Sequence, residues 1–359
     1  MNIKKSLKSS LIGLLLCKLI FAQEQPEINS LAEPYQPIFA FTNGVIVMSP
    51  GNKCKNCVLI IKGKKIIKLD SNIVVPEEAI IYDLNGDYVY PSFIDLFSHY
   101  GLTKVVKKES KSTPQYTSSK KGAYHWNESM SPEVFASEKF IPNSENAASY
   151  LSNGFGAVLT HIQNGILRGS GALVGLSSKS ANFNLIIKNA AAFYSFNKGI
   201  SNQKNPTSLM GTIALIRQNF LDAEWYQNQQ EEINHSLDAF INQQSLPQIF
   251  TLNHELDYSR IYKISDEFEV DFIVKGNGKE FSKINEVAQT NFPLIIPLNF
   301  PKPYDINNPE TADLISLQKL KTWETAPFNP AILAANNIEF CITSSDLKDS
   351  TDFIKNLRT

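Results

Sequence analysis

The stretch PSFIDLFSH, residues 91–99, sets Asp95, Phe97 and His99 at two-residue intervals. Side chains two apart on a strand share a face, so a carboxylate, a phenyl ring and an imidazole emerge together. At the mouth of a barrel, positions 97 and 99 can reach one metal ion, and of the two only His99 can bind it. Further donors lie along the chain: His161 closes VLTHIQNG, His254 sits in QIFTLNHELD, and Asp346 follows two serines in CITSSDLKD. His161 reads either as a ligand contact at the strand end or as a hydrogen-bonded structural histidine.

Other arrangements offer less chemistry. Arg168 lies beside Gly169 and Gly171 in ILRGSGALVGL, which suits an anion nest or a glycine-rich turn between strands. No Gly-x-Ser-x-Gly elbow is present, so a serine-hydrolase mechanism lacks its nucleophile. Cys341 lies in an apolar run and reads as core. Cys54 and Cys57 in KCKNC can close a small disulfide; a zinc site would need two more ligands, which no second Cys-x-x-Cys supplies. His125 and His235 fall in polar segments and are expected on the surface.

Positioning such groups requires a large fold, and the chain has the means: 359 residues, 43% of them hydrophobic. Its 34 basic and 35 acidic residues leave a formal net charge of −1, so no global field draws it to nucleic acid. Residues 1–22 place Lys4, Lys5 and Lys8 before an apolar run that ends in Ile-Phe-Ala, the pattern of a secretory signal peptide. That run is too short to span a membrane. Residues 23–37 are polar and proline-rich, as in a flexible leader.

Residues 38–90 carry short strand-like runs, with Gly63-Lys64 and Asn85-Gly86 at tight turns, and predict a small antiparallel β domain. From residue 91 to 359 helix and strand signals alternate. Ser144 is placed to cap a helix that Gly154 ends, and Gly156–His161 reads as the next strand. Leu209, Ile213, Ile216 and Phe220 share one helical face, and Val270–Val274 and Ile338–Thr343 read as buried strands. Repeated helix-to-strand units imply a parallel α/β sheet, closed or open, with its chemistry where the strands end. The lysine- and serine-rich strip 103–130 is expected to be a long loop, either a substrate cover or a solvated insertion.

PSFIDLFSH resembles the first barrel strand of the amidohydrolase superfamily, Pro-Gly-Phe-Ile-Asp-x-His-x-His, and most of all its imidazolonepropionase-like secreted branch. The stretches SLMGTIALIRQNFLDAEWY and PLNFPKPYDINNPETADL extend the likeness from about Phe39 to the end. The resemblance implies a (β/α)8 TIM-type barrel with a small N-terminal β domain. It implies one or two divalent metals, commonly zinc, that activate water to hydrolyse a non-peptide carbon–nitrogen bond or a cyclic amide in a small-molecule substrate. Of the family's ligand positions His99 alone is retained; Phe97, Leu252, Gly276 and Ser345 stand at the others, with His254 and Asp346 close by as substitutes.

Two functions are therefore expected. One is hydrolysis with His99 and His254 on the metal and Asp346 shuttling the proton. The other is a degenerate barrel that holds a ligand, or a partner subunit in a homo- or hetero-oligomer, without hydrolysis. The resemblance also leads one to expect strands beyond Thr359 that complete the β domain, so that the chain reads as a fragment.

Overall fold

Short β-branched runs separated by glycine and asparagine turns build two sheets, and a computed structural model describes them over residues 36–107, 111–229, 231–304, 307, 309–349 and 351–359. The expected signal peptide and nearly all of the leader lie outside these residues. The chain divides into two units, with the boundary between Pro91 and Ser92.

The first unit holds a five-stranded sheet: β1 (Ile38–Ser49), β2 (Asn52–Lys62), β3 (Lys65–Asp70), β4 (Ile80–Asp83) and β5 (Tyr88–Val89). β1–β2 and β2–β3 are antiparallel, and Gly63 makes the second turn with φ 59°. The all-antiparallel expectation fails at the other edge. β4 and β5 both lie parallel to β1, so the Asn85-Gly86 turn does not form a hairpin between its two strands. Instead that turn docks on an irregular stretch of β1: Gly86 N donates to Asn43 O at 2.7 Å, and Val45 N donates to Asp87 O at 3.0 Å. Ile46, Cys57 and Leu59 form the small core, and Cys54 and Cys57 are joined by a disulfide.

The second unit is built on an eight-stranded sheet in chain order: β6 (Phe93–Ser98), β7 (Phe155–Thr160), β8 (Leu167–Gly175), β9 (Leu185–Ser195), β10 (Gln248–Thr251), β11 (Phe272–Lys275), β12 (Leu294–Pro297) and β13 (Phe340–Thr343). Its neighbours are parallel except β7–β8 and β8–β9, which are antiparallel. The uniformly parallel sheet expected from the alternation is therefore corrected. Arg168 lies inside β8 and not in a turn.

Alternation along the strands sorts their side chains into two cores. One face meets the helices: Phe250, Phe272, Val274 and Leu294 pack with Ile216 of the helix Leu209–Gln227 and Ile261 of the helix Asp257–Phe268. The other face gathers Phe97, Leu159, Leu173, Phe193, Ile249, Ile273, Ile295 and Cys341, a side chain from every strand of the sheet, in one cluster. The first and last strands meet through side chains. Thr343 Oγ1 donates to Asp95 Oδ1 at 2.6 Å, and Ser344 Oγ donates to Asp95 Oδ2 at 2.5 Å.

Three local expectations change. The helix Ser144–Ser152 is capped by Asn143, whose side chain accepts from Asn146 N, one residue before the expected Ser144. The strip 103–130 is pinned over much of its length, because Gln203 Nε2 donates to the carbonyls of Gln115, Thr117 and Trp126. His125, expected on the surface, is 5% exposed, and its Nδ1 accepts from Asn127 N at 3.0 Å.

Candidate functional site at the strand ends

The last inward residues of the strands form the floor of the site. Phe97 is buried, its ring centroid 4.6 Å from that of His161, which stacks on Phe193 at 3.7 Å. His161 is fully buried, and among the described residues neither ring nitrogen has a hydrogen bond of good geometry. Burial holds its pKa well below the ordinary imidazole value, with the charges of Arg168, His99 and Lys275 adding to the effect. A backbone hydrogen bond at Ser98 works against this shift.

Two cations stand near it. Arg168 is 8% exposed; its Nε donates to Gly165 O and its side chain reaches Thr251 Oγ1 at 3.4 Å, so among the described residues it meets neutral oxygens and no carboxylate. Burial brings its pKa down to about 10. Lys275 ends β11, two residues after inward-facing Ile273, and is 2% exposed. Its Nζ lies 2.7 Å from Asp346 Oδ2, donates to Gly276 O at 2.8 Å, and sits 5.0 Å from the Phe97 ring centroid.

Asp346 is half exposed and has left-handed backbone, φ 63°, just past β13. It lines a cleft of about 470 Å³ with Phe97, His99, Tyr150, Gln163 and Ser345. Behind this cleft Asp95 is fully buried, and burial raises its pKa against the hydrogen bonds from Ser344, Thr343 and Phe97.

The site residues expected from the sequence are thus only partly brought together. His99 falls one residue past β6, is exposed, and shares the cleft with Asp346. His254 lies beyond β10 with its side chain 63% exposed beside Glu255, and it lines other clefts. The substituted ligand positions have physical reasons. Leu252 faces the helix-side core, so position 252 does not look into the mouth at all. At Gly276 a Cβ would fall 2.2 Å from Glu280 Oε1, an oxygen of a fully buried carboxylate that Asn277 N and Asn329 Nδ2 hold. Lys275 and Arg168, the charged groups of the mouth, were missed as a pair. The available signal was a lysine closing the apolar run FIV two residues after an inward isoleucine.

The zinc that the resemblance implies does not fit these donors. Among the described residues no group of three or more His, Cys, Asp or Glu is placed to hold a metal ion, and the Asp346 carboxylate is already matched by an ammonium.

The chain is similar to an amidohydrolase from Thermotoga maritima MSB8, with TM-score 0.65 and 17% sequence identity over 88% of this chain and 80% of that one. Weaker likenesses are a prolidase complexed with N-methylphosphonate-L-proline (TM-score 0.42, 12% identity, 87% of this chain and 79% of that one) and the A. niger ochratoxinase (TM-score 0.41, 8% identity, 90% and 79%). The Thermotoga likeness assigns the fold: this chain has an amidohydrolase fold. No family model matches the sequence, and neither does any curated protein.

Proposed function

We propose that the eight-stranded sheet of residues 92–359 closes into a barrel, with β8 antiparallel to its neighbours in place of the expected (β/α)8 order, and that its mouth binds a small molecule without hydrolysing it by metal-activated water. The observation that carries this reading is the buried Lys275 ammonium 2.7 Å from Asp346 Oδ2. Positive charge at the strand ends can polarise a carbonyl or hold an anionic ligand. A divalent ion supplies that charge and a reactive water, whereas an ammonium supplies charge and hydrogen bonds only. Closure is supported by the inner cluster that draws on every strand and by the hydrogen bonds from Thr343 and Ser344 to Asp95. Export from the cytoplasm is proposed from the N-terminal pattern of residues 1–22. Among the described residues no helix is long and apolar enough to cross a membrane.

The test is metal content. Protein purified after growth with added zinc is expected to carry far less than stoichiometric metal and to leave a panel of amides, lactams and dipeptides intact. Near-stoichiometric zinc that disappears in His99→Ala, together with turnover of an amide or lactam, would overturn the proposal in favour of the metal-dependent hydrolase.

A further inference from the structure

The charges at the mouth point to the class of ligand. Arg168 and Lys275 bring two buried guanidinium and ammonium groups to the strand ends, and Asp346 is the one carboxylate within ion-pair distance of either among the described residues. Buried cations are normally matched by anions, because leaving them unmatched costs several kcal/mol each. Beside them both ring nitrogens of His161 are buried with no hydrogen bond of good geometry among the described residues.

Asp346 itself is a poor permanent partner. Its side chain is 50% exposed while that of Lys275 is 3% exposed, and its backbone adopts a left-handed conformation that L-residues populate sparsely. It also sits on the wall of the 470 Å³ cleft, which Lys104 and His99 line together with the neutral Tyr150, Asn146, Asn153, Gln163 and Ser345. Ser345 Oγ is buried and, among the described residues, meets no hydrogen-bonding group.

We propose that this cleft binds a small carboxylate, and that Asp346 is an intramolecular competitor occupying the ligand's carboxylate position on Lys275. The proposal rests on the metal-free reading above, because a zinc ion on Asp346 would remove the ammonium–carboxylate exchange. A ligand carboxylate takes the place of the Asp346 carboxylate at Lys275 Nζ; no covalent bond changes. Asp346, half exposed already, turns to solvent at little cost. The neutral amides and hydroxyls of the cleft suit a ligand whose tail carries hydrogen-bonding groups, such as an acylated amino acid.

The experiment is isothermal titration calorimetry of the full chain with N-acetylglycine, against neutral N-acetylglycinamide and inorganic phosphate. Removing a competitor raises the fraction of binding-competent Lys275, so Asp346→Asn is expected to tighten N-acetylglycine binding by about tenfold. Lys275→Met is expected to abolish it, and the double variant K275M/D346N, which keeps a neutral pair of similar volume, is expected to bind no better than Lys275→Met. N-acetylglycinamide is expected to bind neither the wild type nor Asp346→Asn.

Weaker or unchanged binding in Asp346→Asn, equal binding of the neutral amide, tighter binding of phosphate, or no binding by any variant would each overturn the proposal. Zinc measured on the same preparations separates the two claims. Stoichiometric metal in the wild type removes the metal-free reading, whereas metal-free protein with no gain in Asp346→Asn removes the carboxylate site alone.

Discussion

A lysine ammonium next to a carboxylate performs one part of a metal's work. It offers a fixed positive charge and up to three hydrogen bonds, but it cannot lower the pKa of water as a Lewis acid does. Lys275 is held in that role by Asp346, Gly276 O and the Phe97 ring, which explains why a phenylalanine stands where a ligand histidine was looked for. At the same scale the buried His125 sets a pH dependence. Burial lowers its pKa from 6.5 to about 4, so in that window the unfolded chain takes up a proton that the folded chain refuses. Stability is retained above pH 6.5 and falls as pH drops toward about 4, by about 3 kcal/mol from this residue. Denaturation midpoints measured across that range are expected to vary less with pH in His125→Gln than in the wild type; equal slopes would show that His125 is not the titrating group. Nothing in the polar segment AYHWNES announced its burial, because the pocket that encloses His125 comes from distant residues such as Ser236, whose hydroxyl accepts from His125 N.

Strand register decides which of these residues meet. β8 read as a glycine-rich turn and β9 was not foreseen, whereas the buried strand ending FIVK was legible, and so were the strands Phe155–Thr160 and Phe340–Thr343 and the helices Ser144–Ser152 and Leu209–Gln227. Which of the two faces looks inward was not, since an apolar strand buried on both sides reads the same either way. The expected sixth-strand ligand position, Gly276, falls one residue past β11, and the last inward residue of that strand is Lys275. Long-range pairing was equally hidden: β4 and β5 look like the arms of a hairpin in sequence and become two parallel neighbours of β1. The register predicts that Gly276→His, which restores the residue seen in the family pattern, does not restore a metal site. It forces an imidazole onto buried Glu280 and is expected to cost roughly 2–4 kcal/mol in chemical denaturation, with no gain in bound zinc. A variant as stable as the wild type that takes up zinc would contradict this placement.

At the level of the whole molecule, an amidohydrolase fold is combined with a mouth whose donors do not make a metal centre. The departures support one another. Position 276 is closed by Glu280, position 252 belongs to the helix-side core, and the carboxylate of Asp346 is spoken for by Lys275. Such mutual fit is what the proposed metal-free mouth requires, since local features that agree with one another mark a site shaped as a unit. The most direct test of that claim is a crystal structure of the protein grown with zinc, with data collected at the zinc absorption edge. The account predicts no anomalous peak at the strand ends and Lys275 Nζ in contact with Asp346; a fully occupied zinc bonded to His99 or Asp346, with Lys275 displaced, would contradict it.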